Sequence, residues 1–82
     1  MLYTFLDVIS ELNLELRLDD QVIQCHQDIL DYILKIRVDV GRLSTKSSVK
    51  KREVINLYEG ENLRIESFFR IIEGLGIEAR LI

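Results

Sequence analysis

Apolar residues in the first dozen positions recur at helical spacing: Leu2, Phe5, Leu6, Ile9 and Leu12 share one stripe, which predicts a helix. At Leu12 the period changes to two. Leu12, Leu14, Leu16 and Leu18 alternate with Asn13, Glu15 and Arg17, the pattern of a half-buried strand. Asp19 and Asp20 end that strand and can cap a helix expected from Gln21 to about Ile36, with Val22, Ile29, Ile33 and Ile36 as its stripe and Ile23 and Leu30 beside it. A short helix over Val38–Ser44, a polar turn over Ser44–Ser48 and a helix over Val49–Tyr58 follow. Gly60 ends the last of these, since a residue without a Cβ adopts the left-handed conformation readily. Ile65–Glu73 is again helical, with Gly74 and Gly76 around its exit. Ile77, Ala79 and Leu81 then alternate with Glu78 and Arg80. The expected fold is mainly α, with short β-strands towards both ends.

These two end segments are related. Thr4–Leu18 and Ser67–Leu81 align without gaps at a constant offset of 63, and six of the fifteen positions are identical: Phe5/Phe68, Ile9/Ile72, Leu12/Leu75, Glu15/Glu78, Arg17/Arg80 and Leu18/Leu81. Each copy is a predicted helix followed by a predicted strand, so residues 1–20 duplicate the tail of a unit spanning 21–82 within one small domain. Short amphipathic strands with open edges seek partners, in each other or in a second subunit. Opposing Glu15 or Arg17 to Arg80 or Glu78 would add cross-strand ion pairs.

Charge divides the chain unevenly. Residues 35–52 hold seven of the eleven basic side chains (Lys35, Arg37, Arg42, Lys46, Lys50, Lys51 and Arg52) and one acid, Asp39. That stretch is +6, while the whole chain is −3. One concentrated cationic stretch on an acidic protein suits a polyanion such as DNA; a solvated helix face is the plainer alternative. A lone Cys25, read as a small buried hydrophobe, fits a reducing compartment. The opening MLYTFLDVISEL meets acids at Asp7 and Glu11 without a basic region ahead, unlike a secretory signal. No run approaches 18 apolar residues, so a cytoplasmic protein without membrane contact is expected. His26 stands beside Cys25 with no second ligand pair at metal spacing, and the four glycines are too scattered for a phosphate loop. The carboxylate pairs Asp19/Asp20 and Asp28/Asp31 lack a neighbouring nucleophile. Neither an enzyme, a metal, a cofactor nor a small-molecule substrate is expected.

The stretch GENLRIESFFRIIEGLGIEARLI resembles the end of the lambda-repressor-like (xenobiotic-response-element type) helix-turn-helix domains, and especially HipB-type antitoxins. Upstream, VDVGRLS resembles the first helix of the bihelical unit and SSVKKREVINLYEG its turn and recognition helix. The Gln that commonly opens that unit is absent, with Arg37 the nearest substitute, and Tyr58 stands where the family often has Glu. The resemblance implies a sequence-specific, DNA-binding transcriptional repressor, the antitoxin of a toxin-antitoxin system that represses its own operon and binds a partner toxin.

A helix in the major groove reads bases with its first turn and is positioned by phosphates. Ser47, Ser48, Lys50, Lys51, Arg52 and Asn56 are therefore the expected base and backbone contacts, flanked by Arg37, Arg42 and Lys46 at phosphates. A twofold homodimer reading an inverted-repeat operator would use Leu14, Leu16, Leu18, Ile77, Ala79 and Leu81 as its interface. The competing expectation is a dimerisation or protein-interaction module with a degenerate helix-turn-helix that has lost DNA readout.

Overall fold

Helices form where the apolar stripes run. A computed structural model describes residues 1–36 and 39–82; Arg37 and Val38 lie outside the described residues. The elements are α1 (Leu2–Glu11), β1 (Leu16–Leu18), β2 (Gln21–Ile23), α2 (His26–Ile33), α3 (Val40–Ser47), α4 (Lys51–Glu59), α5 (Ile65–Gly74) and β3 (Ala79–Leu81). The strands form an antiparallel sheet in the order β2-β1-β3. The chain is thus mainly helical with a small sheet, and no helix among the described residues is long and apolar enough to cross a membrane. Leu2, Leu6 and Ile9 of α1 share one buried cluster with Leu16, Leu18, Ile29, Ile33, Leu43, Val54, Leu57, Phe68, Ile71 and Ile72. The expected boundary between residues 20 and 21 falls inside the β1–β2 hairpin.

The first strand is shorter than its alternation predicts. Leu12 and Leu14 are exposed and belong to the turn after α1, where Asn13 takes φ 59°. Asn13 N–H donates to Ser10 C=O and Leu14 N–H to Ile9 C=O. This Schellman closure satisfies the last helical carbonyls, and the ladder starts only beyond it.

The long helix expected from Gln21 does not begin there. Asp19 takes φ 53° and, with Asp20, makes a two-residue turn that sets Leu18 opposite Gln21 and Leu16 opposite Ile23. Aspartate tolerates the left-handed region, and the β-branched Val22 and Ile23 suit a strand. Asp19 also fastens this corner, as its carboxylate accepts from Glu78 N–H and the Tyr32 hydroxyl. Helix α2 starts five residues later. There Asp28 accepts from the backbone N–H groups of Gln24 and Cys25. Cys25 is exposed at this cap, not buried, and neighbouring His26 stacks on Tyr3.

The 63-residue offset relates structure as well as sequence. It carries α1 onto α5 and β1 onto β3 residue for residue. Leu75, Gly76 and Ile77 donate to Ile71, Glu73 and Ile72 as Leu12, Asn13 and Leu14 donate to Val8, Ser10 and Ile9. Gly76 takes φ 75° where Asn13 takes 59°. The two strands pair within the chain, with Leu16 opposite Leu81, Arg17 opposite Arg80 and Leu18 opposite Ala79. The expected opposite-charge cross-strand pairs do not form in this register. Each arginine turns back along its own strand instead, Arg17 to Glu15 and Arg80 to Glu78, both at 3.1 Å.

Candidate nucleic-acid interface

Helix α3 starts where Asp39 accepts from Arg42 N–H, and it absorbs most of the polar stretch expected to be a turn. It ends at Ser47. Ser48 takes φ 58°, Val49 N–H donates to Ser44 C=O, and the Ser44 hydroxyl donates to Val49 C=O. Those bonds hold the three-residue link Ser48–Lys50 that delivers the chain into α4. Gly60 closes α4 in the same left-handed manner, at φ 79°.

Helix α4 is packed on one side and bare on the other. Val54 and Leu57 are buried, while Lys51, Arg52, Ile55 and Glu59 face solvent with Asn56 half-buried beside them. Leu43 and Ser47 of α3 pack towards α5. Arg42 and Lys46 are exposed. Gly41 leaves room for Lys51, whose Nζ lies 3.8 Å from where a Cβ on Gly41 would sit, so the Lys51 stem runs beside the first turn of α3.

Arg42, Lys46, Ser48, Lys50, Lys51 and Arg52 are thus all exposed on one two-helix unit, with Lys51 set beside the first turn of α3. Ser47 does not join them. Its side chain is buried and its Oγ points into α5, where a Cβ added to Gly74 would lie 2.2 Å away. The helical reach of α3 through Ser47, instead of a turn beginning at Ser44, is what rotates this side chain inward. Arg37 lies outside the described residues. Of the expected dimer contacts, Leu16, Leu18 and Ile77 are buried in the chain's own core, whereas Leu14, Ala79 and Leu81 are exposed.

Two features of this unit were not read from the sequence. Ile55 is 42% exposed at the centre of the bare α4 face, one turn after Lys51. Its position off the Val54/Leu57 stripe is the signal that could have found it. Glu53 is the second: Arg64 donates to its carboxylate through Nε at 3.2 Å and a terminal nitrogen at 2.9 Å. Burial pushes the Glu53 carboxyl up. Hydrogen bonds from Ser67, Arg64 and the Lys50 backbone, with the Arg64 charge, outweigh that and hold it below its ordinary value. Glu53 thereby anchors the first turn of α4 to α5. An acid three residues after a Ser or Thr announces such a cap in sequence. Here Lys50 occupies the cap and hides it.

The ion pairs divide the surface. Arg17, Arg64, Arg70 and Arg80 each bridge a glutamate. Among the described residues, Lys35, Arg42, Lys46, Lys50, Lys51 and Arg52 make no such bridge, and all six are exposed. Comparison with family models, curated proteins and solved structures returns no match to this chain.

Proposed function

We propose that this chain is a double-stranded DNA-binding protein of the helix-turn-helix type acting as a transcriptional repressor, with α4 as its recognition helix. The carrying observation is the set of exposed, unbridged cations on α3, the Ser48–Lys50 link and the start of α4, on a protein whose other described arginines are paired. Two short helices joined by a three-residue turn are the form such motifs take, with Ser48 in the left-handed position that glycine often fills. Lys50, Lys51 and Arg52 stand in the first turn, which meets base edges and phosphates. Asn56 suits adenine, and Ile55 offers an apolar contact for a thymine methyl. Arg42 and Lys46 flank the helix as phosphate contacts. The antitoxin role and a partner toxin extend this proposal on the resemblance of the tail alone.

Fluorescence anisotropy against duplex DNA over a range of salt tests it. Expected is affinity that falls steeply with salt and is lost in Lys51→Ala/Arg52→Ala without a change in melting temperature. Absence of binding at low salt would make the cationic stretch a solvated face.

A further inference from the structure

In a twofold dimer one surface patch meets the same patch of a second copy, and a residue on the axis faces itself. The contact between α1–β1 and α5–β3 has this form inside a single chain. The pair Leu16/Leu81 becomes Leu18/Ala79 when the two copies are exchanged, and Arg17/Arg80 maps onto itself. Ile82 N–H donates to Glu15 C=O as Asp19 N–H donates to Glu78 C=O, again exchanged by the offset. A pseudo-twofold axis therefore passes through Arg17 and Arg80, which explains why two like charges sit opposite each other in the sheet. Beside the strands, Phe5 of α1 meets Phe69 of α5 edge-on at 6.0 Å.

Across this axis the two sides are not equally furnished. Helix α5 carries the α3–α4 unit because Gly74 lets Ser47 approach without a Cβ between them. The equivalent position on α1 is Glu11, which is exposed, as is Asp7 one turn before it. The α1 side thus presents acids where the α5 side holds a cationic helix pair.

Resting on the DNA-binding proposal above, we infer that the α1–β1 segment takes the place a second subunit's α5–β3 would occupy, so that a single chain with a single reading unit engages one unpaired, non-palindromic duplex half-site. This replaces the inverted repeat and homodimer expected from the sequence. Three of the six residues expected at a dimer interface, Leu16, Leu18 and Ile77, are already buried in the lone chain, with Leu16 1% and Leu18 0% exposed, while Leu14, Ala79 and Leu81 stay exposed.

The test combines sedimentation of the full chain, alone and with selected duplex, with hydroxyl-radical footprinting. Expected are a free species of 9.6 kDa, one chain per duplex, and protection confined to a single half-site, with a log–log salt slope of about −3 to −4 for a few phosphates. A free or DNA-bound species of twice that mass, or protection of two inverted half-sites about 10 bp apart, would overturn the internal-partner inference while leaving DNA binding intact. A 9.6 kDa species without salt-dependent affinity for any duplex would instead overturn the DNA-binding proposal, and the inference with it.

Discussion

The segments Leu2–Leu18 and Ile65–Leu81 share their lengths, their helix closures and their Glu–Arg pairs, yet they bury different faces. In α5 the face formed by Ser67, Phe68, Ile71 and Gly74 is covered; on the matching face of α1, Thr4, Val8 and Glu11 are open to solvent and only Phe5 is half-buried. In the strands the order reverses. Leu16 and Leu18 are buried, with β2 on the far side of β1, whereas Ala79 and Leu81 on the edge strand β3 are exposed. A helix and a strand with one local design can thus be assigned opposite burial by whatever docks on them. The docking choice traces to a small difference, glycine against glutamate at one helical position.

The sharpest way to test that reading is to make the same change in both copies. Ile71 is fully buried and Val8 is 47% exposed at equivalent positions. Ile71→Ala should lower unfolding free energy by about 2–5 kcal/mol through lost burial and a cavity, enough to unfold a domain of this size at moderate temperature. Val8→Ala should change it by no more than about 0.5 kcal/mol, as exposed substitutions do. Urea denaturation of the two variants measures both, and equal losses would mean that α1 is covered too.

Gly74 and Glu11 come next. A Cβ at 74 would lie 2.2 Å from Ser47 Oγ and 3.3 Å from its Cβ, so α3 must shift away from α5. Gly74→Ala should cost about 1–3 kcal/mol despite the better helix propensity of alanine. Adding Ser47→Ala should recover part of that loss, because the nearest obstructing atom is the hydroxyl oxygen. The same alanine at Glu11 meets no such crossing and should be near neutral. Independent, additive effects of the 47 and 74 changes in a double-mutant cycle would contradict the crossing described here.

Period and offset in the sequence carried much of this architecture. Both amphipathic helices, the Gly60 stop and the duplication were legible because they depend on local spacing. What escaped was the hairpin at Asp19–Asp20. Two aspartates before an apolar run read equally well as a helix cap, and only pairing with β1 and the bonds from Glu78 and Tyr32 decide for a turn. At the candidate site the cationic residues were legible as composition. The inward rotation of Ser47 was not, because it depends on where α3 ends and on a glycine 27 positions away. The anchoring of Glu53 likewise needs Arg64 and Ser67, which no local pattern connects to it.

A smaller effect separates the two helix closures. Asn13 and Gly76 both sit in the left-handed region, and nothing lies within 4 Å of a Cβ added at Gly76. The cost of Gly76→Ala is therefore purely conformational, about 1–2 kcal/mol. Gly76→Asn, which copies the first repeat, should recover most of it, since asparagine tolerates this conformation. Identical melting temperatures for the Ala and Asn variants would mean that the closure relaxes to another geometry.

The least costly comparison, at positions 4 and 67, is also the one that reports on the recognition helix. Ser67 is buried and helps hold the Glu53 carboxyl below its ordinary value, whereas Thr4 is exposed. Ser67→Ala should cost about 0.5–1.5 kcal/mol at neutral pH, and Thr4→Ala almost nothing. The pH dependence follows from the sign of the Glu53 shift. Its carboxyl is held below its ordinary value of 4.5 in the folded chain, so the unfolded chain binds the proton more readily and the ionised form stabilises the fold. That contribution is complete above the unfolded value and is lost as pH falls through the lower, folded one. The difference between wild type and Ser67→Ala should therefore be constant from neutral pH down to about 5 and shrink below about 4.5. A difference that stays level into acid would mean that Ser67 acts by packing alone. Narrowing would place Glu53 as the charged tie between α5 and the first turn of α4, the turn that carries Lys51 and Arg52.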